Sequence, residues 1–481
     1  MSDKLRRDPR RSYPYHERYG ALHRFPKEAL PRAEILRQAE EMARQENLVW
    51  AEGKCSGTIY SGDHDHYEFL NSVFGMYSHV NALQRDMCPS QTRFEAEIIA
   101  MTLDMMHGDA VERDTPGQEP CGVMSSGGTE SIVSALLAYR EHHRGQRGVT
   151  EPEIIIPVTA HAAFDKGAHY FGIKVIHAPI DPVTTGVDVN FVKLRITRNT
   201  IALVGSAGNY PYGTIDPIEQ LSDLALENGI GLHVDGCLGG FILPWGEVLG
   251  YDIPTFDFRL PGVTSISADT HKYGYGLKGT SVLLYRNKAL RAAQFFCQPL
   301  WPGGMYTSPG IGGSRSGGLL AASWAAMVSL GRDGYLRRAR QIFETSFAMQ
   351  EVINDIGELK LLGSPTFCFS FTSEEFDIYH LNDAMKERGW RFNGQQYPSA
   401  LHMCVTGPQA QAGVVEAFRS DLLEAVACAK HPTNNVPRSG SLYGGAGMKA
   451  SPDDIDIVEL RALLIGALET YLEQPESLED A

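Results

Sequence analysis

The run "TSISADTHKYGYGLKGTSVLLYRN" (264–287) sets Lys272 between two apolar stretches, inside a turn of glycines and tyrosines. Most lysines are solvated, and a turn lysine is the ordinary reading. The other reading is a nucleophilic amine that forms an imine with an aldehyde. Desolvation would lower the pKa of such a lysine and favour the neutral amine the chemistry needs. Three further groups sit where a chemist would look for partners. "SSGGTESI" (125–132) is a glycine turn opening a helix, whose free N–H groups and dipole suit a phosphate, with Thr129 adding a hydroxyl. A tight loop explains those glycines equally well. His161 in "VTAHAAFDK" is either a satisfied structural histidine or a flat ring laid against an aromatic cofactor. Asp235 in "LHVDGCLGG" ends an apolar run, where a carboxylate needs a cation or several donors; loop capping is the alternative.

The elements that would position these groups follow from the hydropathy pattern. Segments 153–158, 173–178, 201–206, 230–236, 263–267 and 280–286 read as buried strands. Ile132, Ala135, Leu136 and Tyr139 recur at helical spacing, as do Ile218, Leu221, Leu224 and Ala225, with Gly229 as a stop. Strands alternating with helices predict an α/β layer with a mostly parallel sheet, which binds ligands at the carboxyl ends of its strands. His161, Asp235 and Lys272 all follow such ends. A helix over 334–354, strands in "LKLLG", "FCFSFTS" and "ALHMCVTG", and helices near 377–388 and 413–430 predict a second, smaller α/β domain. The expected division is an N-terminal segment 1–75, a large domain 76–330 and a C-terminal domain 331–481. Segment 71–87 is expected to drape over the sheet.

Composition narrows the partners. The 481 residues are 43% hydrophobic and 21% charged, as in soluble globular proteins. A net charge of −15 argues against nucleic acid and requires local cations for any anionic substrate. Residues 1–37 carry +5, leaving −20 for the remainder. Their dispersed basic residues fit an arm packed over a neighbouring subunit better than a lipid-binding block, although peripheral membrane contact is a second reading. Eight cysteines without Cys-x-x-Cys spacing read as reduced thiols of a cytoplasmic protein. No signal peptide or ~20-residue apolar span is apparent. "GDHDHYEF" (62–69) offers adjacent histidines and acids, a poor arrangement for one metal ion, and no metal is expected. "SGSLYGGAGMKAS" (439–451) reads as a lid or an exit loop.

Taken together, a phosphate turn, a stacking ring, an acid and a lysine supply what pyridoxal 5'-phosphate requires. Lys272 is then the imine lysine, with Asp235 keeping the pyridine nitrogen protonated.

The motifs "SGGTESI", "HAAFDK", "YFGIKV", "HVDGCLGGF", "FDFR…GVTSISADTHKYGYGLKG", "GSRSGG" and "FDIYHL" resemble those of the sphingosine-1-phosphate lyases. These are type I pyridoxal-phosphate enzymes related to the group II decarboxylases. The likeness runs from about residue 53 to 445. It implies an aspartate aminotransferase-like fold, a homodimer with shared active sites, and retro-aldol cleavage of phosphorylated sphingoid bases to a fatty aldehyde and phosphoethanolamine. It implies Gly128, Thr129 and His271 at the cofactor phosphate, His161 over the ring, and Gly313 and Ser314 reaching in from the other subunit. Tyr60, Asn81 and Lys278 match positions near the substrate headgroup, and Tyr210 an aromatic near the reacting carbon. The base could be Lys272, Tyr210 or the substrate's phosphate. The family's Asn-Pro-Leu-His-Pro-Asp is here "NALQRD" (81–86), so Gln84 replaces a histidine and Arg85 is expected to restore positive charge. "DGC" replaces Asp-Ala-Cys, and Leu277 a proline. Two rival readings are an amino-acid decarboxylase and a silent scaffold on the same fold.

Overall fold

The computed structural model describes residues 14–22, 24–112, 117–440 and 457–472. Residues 1–13 and 23 of the basic opening segment (1–37) and nearly all of the expected lid (439–451) lie outside the described residues.

A seven-stranded sheet forms the centre. Its strands are β1 (Cys121–Ser125), β2 (Glu153–Pro157), β3 (Lys174–Ala178), β4 (Thr200–Ser206), β5 (Gly231–Gly236), β6 (Ser265–Ala268) and β7 (Ser281–Tyr285), in the order β1-β7-β6-β5-β4-β2-β3. β2 to β6 run parallel, and β7 is antiparallel to both neighbours. The β-branched, apolar sequences of β4 and β5 are buried along their whole length, as strands covered on both faces must be. β3 departs from the expected burial: it is the sheet edge, and Lys174 and His177 are exposed. β1 is short and contains glycine, so it gives no clear apolar run.

The helix Gly128–Arg147 lies on the sheet through Ile132, Ala135, Leu136 and Tyr139. The Tyr139 hydroxyl lies 2.7 Å from Thr264 Oγ1 and 2.6 Å from Ser265 Oγ, which pins the ring. Gly231 passes so close to it that a Cβ would stand 2.1 Å from Tyr139 Cε1. The helix Ile218–Asn228 stops at Gly229, whose φ is 60°.

A β-ribbon follows, β8 (Phe296–Gln298) with β9 (Tyr306–Ser308), exposing Leu300, Trp301 and Met305. The long helix Gly317–Asn354 begins well before the predicted residue 334, because Gly331 (φ 55°) interrupts it and mimics a start. The helix His64–Tyr77 packs on it so closely that a Cβ at Gly318 would lie 2.7 Å from Phe74 Cδ2. Pro89–Met105 touches β1 and β7, and Ala82 and Arg85 of the 71–87 segment border β1 beside it. The small sheet is antiparallel throughout, with strands β10 (Lys360–Leu362), β11 (Cys368–Thr372), β12 (Asn393–Gln395) and β13 (Ala400–Cys404) in the order β10-β11-β13-β12. Helices Ile378–Glu387 and Val414–Lys430 complete this region. One apolar cluster joins Val234 and Ile266 of the large sheet to Phe369, Leu401 and Phe418.

These contacts make two glycine substitutions opposite in sign. Gly231→Ala has no room because Tyr139 cannot move, and should destabilise by about 1–3 kcal/mol. Gly145→Ala, in a helix with open space around it, should stabilise by about 0.5–1 kcal/mol. Thermal melts of the two variants beside the parent should bracket it; a Gly231→Ala melt at or above the parent would contradict the packing.

Candidate active site

The composition around Lys272 is explained by its turn. Tyr273 and Tyr275 are buried anchors on either side of it. Tyr273 donates to the Val405 carbonyl at 2.6 Å and meets Tyr60 and Phe367 edge-on, with ring centroids 5.0 and 5.2 Å away. Tyr275 adopts φ 58° and packs its ring parallel to Tyr335. Gly274 leaves only 2.4 Å between a would-be Cβ and the Thr270 carbonyl, which also accepts from Gly276 N at 2.9 Å. Both tyrosines being committed inward, Lys272 faces a cavity of about 240 Å³.

Every central strand end contributes to that cavity. His161 follows β2, Ser206 and Tyr210 follow β4, Asp235 and Cys237 come from the end of β5, and Lys272 and Lys278 from the turn after β6. The far wall is His402 and Cys404 of β13. Segment 56–60 is strapped to that wall by Cys404 N donating to Ser56 Oγ (2.9 Å) and Gly57 N to the Cys404 carbonyl (2.9 Å). This brings Tyr60 in beside Lys278, whose Nζ lies 4.5 Å over the ring.

The charges are held by specific neighbours. Burial alone would raise the Asp235 pKa, but the imidazoles of His161 and His233 and the Cys237 N–H (3.0 Å) outweigh it and keep the carboxylate below its ordinary range. His161 Nδ1 accepts from Ala163 N at 3.1 Å, so in the neutral ring the proton sits on Nε2. Burial of Lys278, reinforced by Lys272, lowers its pKa to about 8. Lys272 overturns the expectation of a lowered pKa. Desolvation does act in that direction, but the Asp269 carboxylate, 2.8 Å from Nζ, outweighs it and the pKa is raised.

Gly128 and Thr129 start their helix as expected, next to the site but not in the cavity lining. The His271 ring reaches this turn, 3.7 Å from where a Gly127 Cβ would sit. A second group lies elsewhere in the chain. Asn81 Nδ2 donates to Ser314 Oγ at 3.0 Å, Arg85 and Arg315 both pair with Glu95, and Gly313 is exposed. Neither these residues nor Gln84 line the Lys272 cavity. Sequence reasoning passed over His402, Cys404, Asn393 and the charge role of Asp269. A histidine and a cysteine alternating on one face of "ALHMCVTG" were the available signal. The His402 ring lies 4.4 Å from that of Tyr210 with the planes tilted by 34°, its ring nitrogens lack partners among the described residues, and burial lowers its pKa to about 3. "GDHDHYEF" is structural: Asp63 caps its helix and pairs with Arg338, and His66 Nε2 bonds the Tyr275 carbonyl at 2.8 Å. Among the described residues no cluster of three His, Cys, Asp or Glu could hold a metal ion.

A buried carboxylate held charged, an imidazole at one wall, a lysine at the floor and a helix-opening turn beside His271 fit a phosphorylated pyridine aldehyde. Residues 14–370 match the pyridoxal-dependent decarboxylase conserved domain. The chain is 45% identical over 421 residues to a sphingosine-1-phosphate lyase of Arabidopsis thaliana, covering 86% of this chain and 76% of that one. It is 41% identical over 429 residues to one of Dictyostelium discoideum, covering 89% and 79%. The chain belongs to the sphingosine-1-phosphate lyase family. A solved member from Burkholderia pseudomallei superposes with a TM-score of 0.89 at 56% identity, covering 96% of this chain and 99% of that one. The fold is therefore that of the pyridoxal-dependent decarboxylases, and the protein is a lyase that uses pyridoxal phosphate. No helix among the described residues is long and apolar enough to cross a membrane.

Borohydride reduction of the cofactor-loaded protein should leave a stable cofactor adduct on the peptide carrying Lys272. Lys272→Ala should abolish it; peptide mass spectrometry that finds the adduct on another lysine would remove Lys272 from its place.

Proposed function

We propose that this lyase cleaves phosphorylated sphingoid bases such as sphingosine 1-phosphate, releasing a long-chain aldehyde and phosphoethanolamine. The observation that carries the reading is the second cation of the cavity. Lys278 stands over Tyr60, six residues past Lys272, and has no carboxylate within pairing distance among the described residues, so it can meet an anionic headgroup. Bound here, pyridoxal phosphate supplies a covalent hold on an amine and an electron sink for bond cleavage beside it.

The chain's own groups do the rest. Gly128, Thr129 and His271 hold the cofactor phosphate, His161 lies against the ring, and Asp235 keeps the ring nitrogen protonated. Lys278 and Tyr60 bind the substrate phosphate. Tyr210, in ring contact with the neutral His402, borders the carbon whose hydroxyl proton must leave as the C2–C3 bond breaks. Asn81, Gln84, Arg85, Gly313 and Ser314 serve the same chemistry from a neighbouring subunit, in a homodimer with shared sites. That none of them lines the Lys272 cavity of its own chain supports that assignment, as does the exposed ribbon β8–β9 that precedes Gly313. The enzyme works in the cytoplasm, with its basic arm packed on the partner.

Incubation with sphingosine 1-phosphate should yield fatty aldehyde; carbon dioxide from a panel of amino acids, with no aldehyde, would favour a decarboxylase and overturn the proposal. Asp235→Asn should keep the borohydride adduct yet lose about 100-fold or more in kcat. Because the Lys278 pKa is about 8, its charge is present below that pH and lost above it. A plot of kcat/KM against pH should therefore fall through pH 8 for the parent, and Lys278→Arg should carry the plateau higher.

A further inference from the structure

Asp269 is the least accommodated charge in the site. It follows β6, its side chain is 1% exposed, and Oδ2 lies 2.8 Å from Lys272 Nζ. The other oxygen, Oδ1, is buried with no hydrogen-bond partner among the described residues. The carboxylate is pressed against the helix-opening turn: a Cβ on Gly128 would stand 2.8 Å from Oδ2 and 3.0 Å from Oδ1. The other basic group close to it is His271, with Nε2 at 3.7 Å, and Lys278 acts on it from further off. His271 Nδ1 lies 2.5 Å from the Thr280 carbonyl, which can only accept, so Nδ1 carries the proton. In the neutral ring Nε2 then turns a lone pair toward Asp269, and burial favours that neutral ring. Among the described residues Lys272 is left as the one standing cation within pairing distance of this carboxylate.

We propose that Asp269 is a positioning residue that holds Lys272 as an ammonium whenever its nitrogen is not covalently engaged, so that releasing a proton from this pair gates cofactor capture. The balance is simple. The ammonium gives one proton to solvent, its lone pair forms the carbon–nitrogen bond to the aldehyde, and the carbonyl oxygen leaves as water. The pair also acts in the opposite direction. When a substrate enters as its ammonium and displaces the lysine, the three protons of that ammonium end on the lysine nitrogen, which returns to Asp269 as an ammonium, a stored proton beside the reacting carbon. That second half rests on the amine substrate proposed above; the first half does not.

The test separates the two halves. On the cofactor-free protein, competitive labelling with acetic anhydride across pH, resolved by peptide mass spectrometry, should place the Lys272 midpoint above those of exposed lysines. Uptake of pyridoxal phosphate, followed by absorbance and by borohydride trapping, should speed up about tenfold per pH unit between pH 7 and 9, as the scarce neutral amine grows. Asp269→Asn should lower the labelling midpoint, raise the uptake rate at pH 7 by about tenfold or more, and flatten the slope. A folded Asp269→Asn protein, by circular dichroism, with midpoint and slope unchanged would overturn the proposal. If that variant does not fold, the parent alone decides: a Lys272 midpoint at or below that of exposed lysines overturns it. None of these readings depends on turnover of a sphingoid substrate, so loss of the proposed lyase activity would leave them standing.

Discussion

Two carboxylates end neighbouring parallel strands, Asp235 on β5 and Asp269 just past β6, and both must stay charged inside a crevice that excludes most water. An isolated buried carboxylate costs several kcal/mol or protonates, so each has to be given partners. Asp235 receives two imidazoles, a backbone N–H and a longer bond from Ser267 Oγ at 3.3 Å. Asp269 receives one ammonium. The remainder of the site reads as provision for these two charges. Ser265 and Ser267 flank His233, glycine at 128 clears room for Asp269, and the parallel strands deliver every group to one edge.

That edge also explains why so much was legible in the sequence. A strand buried on both faces must be apolar throughout, so β2, β4, β5 and β7 stand out from composition alone, and any charge at their carboxyl ends is conspicuous. His161, Asp235 and Lys272 were visible for that reason, and they do meet in one cavity. The failures have equally physical causes. β1 and β12 are short and carry glycine or asparagine, and Gly331 hid half of a helix. The protonation of Lys272 was misread because a sequence signals burial readily, while the sign of a pKa shift depends on a partner's distance. His402 was passed over because one histidine on an apolar strand looks like core until the opposite wall of a cavity is known.

The cations show the same dependence on three dimensions. The chain is acidic, and an anionic headgroup must be met against that background. From the sequence Arg85 and Lys278 are equivalent candidates. In the fold Arg85 shares Glu95 with Arg315, whereas Lys278 has no carboxylate within pairing distance among the described residues and leans on an aromatic face. Two guanidiniums on one carboxylate keep one positive charge, but it is tied to Glu95 and does not face the Lys272 cavity of its own chain. The difference between the two residues is one acid, Glu95, contributed by a helix 10 residues after Arg85.

The cavity belongs to neither sheet alone. The lysine turn is tied to the small sheet by the Tyr273 hydroxyl on Val405, and the 56–60 segment is tied to the same strand edge through Cys404. Lys272, Asp235 and His161 are all carried by the large sheet, on the turn after β6 and at the ends of β5 and β2, while Tyr60 and His402 go with the small sheet, and one apolar cluster joins the two. Their separation is set by packing, and packing in a dense core has few intermediate solutions. A substitution at that seam, far from any reacting atom, is for this reason as consequential as one in the cavity.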